Sequence, residues 1–210
     1  MINNYKDLTL GKYLQLREID PTCDEMDIQV QMLSILSDKD EEEILDLPLP
    51  EYRKLVGQTA FLVEQPVAGK TPPREITVNG RKYSVLRDAR EMTAGQYIDY
   101  QNYISDTSVA EKNLPFLLSC FVIPKGKKYG DYDLEEVVSD IRCMPIETVL
   151  TLSSFFFRQS QNSINNMLIY LDWMTKRMEK KEKDETKKAM MKEAREKVAM
   201  LQDLLKDGDG

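Results

Sequence analysis

The chain is 210 residues long, 41% apolar and 31% charged. Length and balance suit one domain or two small ones with a packed core, and exclude a disordered chain. Its 29 Lys/Arg and 36 Asp/Glu leave a net charge of −7, opposite in sign to a domain built to wrap nucleic acid. There is no histidine, which excludes Ser-His and Cys-His nucleophiles, histidine bases and histidine-containing metal sites.

Met1 to Asp7 carries no basic stretch followed by an apolar one, so no secretory leader is expected. Thr9 is placed to cap a first helix, with Leu10, Leu14 and Leu16 as its apolar stripe and Gly11 in its first turn. Ile28, Met32, Leu33 and Leu36 predict a helix over about 24–36. The acidic run from Asp38 to Glu43 opens another, which Pro48 and Pro50 stop near Leu47. A helix from about 51 to 63 follows, then a linker over 66–73 rich in Pro, Gly and small residues. Asn79-Gly80, set between alternating runs within 75–86, predicts a β-hairpin with a type I′ turn. A lone hairpin is marginal in water, so it needs helices or a further strand. Helices are predicted at 93–105, 109–122, 134–143 and 146–160, with a loop at 124–133.

From Ser163 the helical pattern runs almost to the end. Residues 177–210 hold 10 Lys/Arg against 9 Asp/Glu. Within them Met191, Ala194, Val198, Leu201 and Leu205 alternate three and four apart, a heptad seam. This pattern fits a solvated helix folded back on the body, or a contact with a second copy or a partner. No apolar run, 117–124 included, approaches the roughly 20 residues of a membrane span.

Four features recur in the same order. Leu8 to Leu16 matches Met92 to Tyr100, with Thr9 and Thr93 as N-cap candidates. Glu42 to Leu45 matches Glu135 to Val138. Each is followed by a proline step, Leu47-Pro48 and Met144-Pro145. Each step opens an apolar stretch ending in phenylalanine, Phe61 or Phe155 to Phe157. This reads as a divergent tandem duplication of a helical unit, against chance likeness between amphipathic helices. The expected fold is therefore mainly α with one β-hairpin. Its segments are a first helical unit at 1–65, a linker and hairpin at 66–90, a second unit at 91–176 and a long charged helical tail at 177–210.

Few residues suggest chemistry. Asp131, Asp133, Glu135 and Glu136 cluster, but they lack the central Gly and closing Glu of a calcium loop, and Asp133 as a helix cap is the simpler reading. Lys125-Gly126-Lys127-Lys128 lacks the spacing of a phosphate loop. Cys23, Cys120 and Cys143 fit no disulfide or zinc framework and read as free thiols packing as small apolar side chains. No enzyme activity and no cofactor or metal are expected. The run Phe155-Phe156-Phe157 is more telling. Its rings sweep about 200° round a helix, more than one core face hides. The alternatives are a helix buried between two layers and an apolar binding surface.

Leu8 to Leu16, Glu42 to Tyr52, Ile76 to Tyr103 and Pro124 to Asp131 together resemble small proteins of tailed bacteriophages and prophages. The nearest functional class is the phage tail assembly chaperone. The resemblance implies an acidic, mostly helical, non-enzymatic protein of the host cytoplasm that binds a tape-measure or tail-tube protein. The alternatives are a structural or internal protein of a virion or other large assembly, and a regulatory or nucleic-acid-associated module using the basic stretch Lys176 to Lys188. The expected partner is a phage structural protein or another protein, with no membrane, and the acidic balance speaks against nucleic acid. It would be held by an apolar surface including a ring from Phe155, Phe156 and Phe157. The tail would add reach or self-association through Val198, Leu201 and Leu205, while the acidic body keeps copies apart.

Overall fold

The computed structural model describes residues 1–105 and 112–159, together with Lys192, Glu193, Glu196, Lys197 and Ala199. The chain divides into two compact units, Met1–Phe155 and Phe156–Gly210. The described structure is mainly helical with a small antiparallel sheet.

Helix α1 (Leu10–Glu18) starts where Thr9 Oγ1 accepts the Lys12 amide at 3.4 Å. It buries Leu10 and Leu14, while Leu16, about 240° round from Leu10, leaves that face. Asp24 caps α2 (Glu25–Ser37), accepting the Met26 amide at 2.9 Å, and Asp38 ends it in the left-handed region at φ 56°. Val30, Leu33 and Leu36 face the core. In the short α3 (Glu41–Leu45), the Asp40 amide donates to Glu43 Oε2 at 3.0 Å, one arm of a capping box. Pro48 sets the start of α4 (Leu49–Gln58), which passes into a 3₁₀ turn at Thr59–Val63. No α4 side chain is fully buried, but Tyr52, Leu55 and Val56 cover Val30, Leu33 and Ile44.

Strands β1 (Glu75–Val78) and β2 (Arg81–Val85) pair antiparallel around Asn79-Gly80. Both turn residues have positive φ, 51° and 78°, as a type I′ turn requires. The hairpin has a third strand, β3 (Val122–Pro124), which sets Tyr83 opposite Pro124 and Val85 opposite Val122. This corrects the helix expected over 109–122, of which 109–111 lie outside the described residues. Helix α6 is only Leu114–Ser119, and the chain is extended from Val122. Pro124 disfavours helical backbone at Ile123, and β2 supplies the missing hydrogen-bond partners.

Helix α5 (Ala94–Ser105) opens with a full box: Thr93 Oγ1 accepts the Gln96 amide at 3.3 Å, and Gln96 Oε1 accepts the Thr93 amide at 2.8 Å. Asp133 caps α7 (Leu134–Arg142) by accepting the Glu135 amide at 2.9 Å. Helix α8 covers residues 146–159. Leu8 and Leu10 pair with Ile146 and Met144 through two backbone bonds of 2.8 Å, tying the first helix to the start of α8.

The order of three helices, a proline step and a fourth helix thus occurs twice. The faces differ. α1 buries Leu10 and Leu14, whereas α5 buries Gln96 and Tyr100, and Ile98, aligned with Leu14, is 58% exposed. β3 has no counterpart in the first set, and Thr9 bridges to the proline step of the second.

The cysteines divide. Cys120 is buried, but Cys23 and Cys143 are exposed, so only one of the three packs as expected. In the second unit, Glu193 and Lys197 pair four residues apart at 2.8 Å. Apart from the five residues given above, the expected helices of 163–176 and 177–210 lie outside the described residues. Among the described residues no helix is long and apolar enough to cross a membrane.

Candidate functional site

The first unit carries an apolar groove of about 510 Å³. Tyr13 and Leu16, three apart on α1, form one wall. Ile28 and Met32, four apart on α2, lie along another. Ile19 and Pro21, where the chain turns between the helices, line one end. Leu62 to Pro66, the stretch leaving the 3₁₀ turn, closes the remaining side. Tyr5 fastens that stretch: its hydroxyl donates to Glu64 O at 2.6 Å and to Leu62 O at 3.3 Å, and its ring meets Phe61 edge-on at 5.0 Å. Burial, then Tyr13 and Glu64 nearby, push the Tyr5 phenol above its ordinary pKa, so it remains a neutral donor. Arg17 and Glu64 are the charged lining residues. A slot walled by aliphatic and aromatic side chains with few polar groups suits apolar side chains of a partner.

A second, open cleft of about 590 Å³ is lined by Arg74, Val85, Arg87, Glu91 and Phe155. Phe155 is half-buried there. Phe156 is 2% exposed and is a core ring. Phe157 is 53% exposed. Consecutive positions on one helix therefore take three different environments. Val198, Leu201 and Leu205 lie outside the described residues.

Two polar networks hold the sheet to its helices. Asp140, 4% exposed, takes Asn79 Nδ2 on Oδ1 at 2.8 Å and the Arg81 guanidinium on Oδ2 at 3.2 Å. The Tyr83 hydroxyl also donates to Oδ2. The other arm of Arg81 reaches Glu136 at 2.5 Å. Burial pushes the Asp140 carboxyl up, but the bonds from Tyr83 and Asn79 and the charge of Arg81 outweigh it and hold the group below its ordinary value. Burial, then the bond to Asp140, push the Tyr83 phenol up to about 12. This site fastens the hairpin to α7. In the second network the Gln96 amide donates to Cys120 O at 3.0 Å, and the Tyr129 hydroxyl donates to Asp99 at 2.8 Å. Burial pushes the Cys120 thiol up to about 12, so it is no thiolate nucleophile at neutral pH. Among the described residues, no group of three or more Cys, Asp and Glu side chains is placed to hold a metal ion. Asp133 of the acidic loop serves as a helix cap.

No family model, curated protein or solved structure matches this chain.

Sequence reasoning drew attention to the phenylalanine run and missed the groove. Ile28 and Met32 are legible in the sequence as apolar helix positions alongside Leu33 and Leu36. The missed signal is that Val30 completes the core face with Leu33 and Leu36, which leaves Ile28 and Met32 to a second face.

Proposed function

We propose that the chain is a non-enzymatic assembly protein of the tail assembly chaperone kind. It binds an apolar, helical segment of a partner such as a tape-measure or tail-tube protein. The observation that carries this reading is the apolar groove between α1 and α2. It is formed by side chains that the core leaves over, and its aliphatic and aromatic lining suits the apolar anchors of an amphipathic helix. Exposed Phe157 is a further aromatic anchor of the type that dominates such interfaces. The pairing of Thr-capped helices with later proline steps supports an origin in a duplicated helical unit whose copies have since taken different faces. The tail beyond Lys176 adds reach or self-association. Function in the host cytoplasm fits this reading.

The test is recovery of bound proteins from the native host with the wild-type chain and with Leu16→Ser. The groove variant is expected to lose a tail structural protein that the wild type retains, with a small change in melting temperature. Equal recovery by both removes the groove from the account.

A further inference from the structure

We propose that two oppositely charged surfaces of the first unit bind one another between copies of this chain, head to tail. This goes beyond the chaperone reading and does not depend on it. Residues 1–65 hold 14 Asp/Glu and 6 Lys/Arg, whereas residues 66–90 hold 6 Lys/Arg and 2 Asp/Glu. The chain is acidic as a whole and basic around its sheet.

The acidic surface is α3 with its exit. Glu41, Glu42 and Asp46 are exposed there, beside Leu45 at 66% and Leu49 at 58% exposure. The basic surface is the end of the sheet. Lys82 O accepts the Lys125 amide at 2.9 Å, which brings Lys82 against the loop of Lys125 to Lys128. Gly126 and Gly130, at φ 83° and 88°, shape that loop. Lys125 is paired with Glu75 at 2.7 Å, but Lys82, Lys127 and Lys128 are exposed with no ion pair among the described residues. Exposed Asp131 follows Lys128 in the chain, and Glu75, already paired with Lys125, also lies within electrostatic reach of Lys82. Among the described residues no ion pair joins the basic surface to α3; α3 packs on α2, and the sheet packs on α6 through β3.

A second copy is the occupant these features fit. The acidic surface carries two exposed leucines that a partner would cover, and half-buried Ile123 and Pro124 stand beside the lysines. Three lysines with no close ion pair among the described residues, on a chain of net −7, are a weak hold for a nucleic acid, but they match three carboxylates. At physiological salt, screening over about 8 Å suppresses the general repulsion and leaves local complementarity to decide.

The test is a charge swap on the full chain, followed by sedimentation velocity over a concentration series at about physiological salt. The wild type is expected to exceed the monomer mass of 24.3 kDa as concentration rises. Lys82→Glu/Lys127→Glu/Lys128→Glu presents like charges to its own copies, as does Glu41→Lys/Glu42→Lys/Asp46→Lys. Each variant alone should associate about tenfold more weakly or worse. An equal mixture should recover association, because each variant keeps the surface the other lacks; recovery also shows that both are folded. A wild type that stays monomeric throughout overturns the proposal. So do variants that associate like the wild type, or a mixture that stays monomeric. Binding of a fluorescent single-stranded oligonucleotide by the wild type, lost in the lysine variant and without self-association, would reassign the basic surface to nucleic acid.

Discussion

Asp140 is one carboxylate serving three donors in a place almost closed to water, and that sets its worth. Asp140→Ala leaves the Tyr83 hydroxyl and one arm of Arg81 without their acceptor, and should cost about 3 kcal/mol in chemical denaturation. The pH dependence follows from the two shifts. Asp140 is depressed in the folded state, so its contribution is complete above about pH 4 and fades as pH falls through the folded value. Tyr83 is raised to about 12, so stability falls as pH rises from about 10, where the unfolded phenol ionises, toward that value. Denaturation measured against pH should show both limbs, and Asp140→Asn should flatten the acid one. The two motif glycines separate in the same way. A Cβ on Gly11 would meet Arg142 O at 3.3 Å, while one on Gly95 meets nothing nearer than Thr93 Oγ1 at 4.0 Å. Gly95→Ala should therefore stabilise by about 0.5–1 kcal/mol, and Gly11→Ala should gain nothing or lose stability, read as a difference in melting temperature. A glycine inside a helix costs up to about 1 kcal/mol against alanine whatever surrounds it; the neighbour that explains Gly11 lies 131 positions away and leaves no local trace.

At the scale of elements, caps and turns were legible because their chemistry is local. Thr9, Thr93 and Asp133 all cap, and Asn79-Gly80 makes its turn. Strand β3 was missed because three residues carry too short a period to separate from a helix end. Only pairing with β2 decides it. Gly80→Val places a β-branched residue at φ 78° and should cost more than 1 kcal/mol, with lost sheet protection in amide exchange. Helix α8 supplies the sharper contrast. Phe156→Ala should cost about 3–5 kcal/mol, since it empties a core position. Phe157→Ser should stay within about 0.5 kcal/mol, since the ring is half in water. Melting curves of the two variants separate core ring from surface ring, a distinction that sequence spacing could only pose.

For the whole molecule, composition excluded histidine chemistry and apolar spacing indicated a mainly helical fold, but neither could place the groove. That groove depends on how α1 and α2 lie against residues 62–66, and on Tyr5 holding that stretch, relations between segments 25 or more residues apart in sequence. Two aligned helical segments likewise turned out to bury different faces, which a motif match cannot reveal. The central claim is that the groove holds an apolar segment of an assembly partner. Its most direct measurement is quantitative mass spectrometry of proteins retained from the native host by the wild type and by Leu16→Ser, set beside the composition of finished particles. The account predicts one tail structural protein retained by the wild type, several-fold less by the variant, and no copy of this chain in the particle. Equal retention by both, or the chain present as a stoichiometric part of the particle, would contradict it.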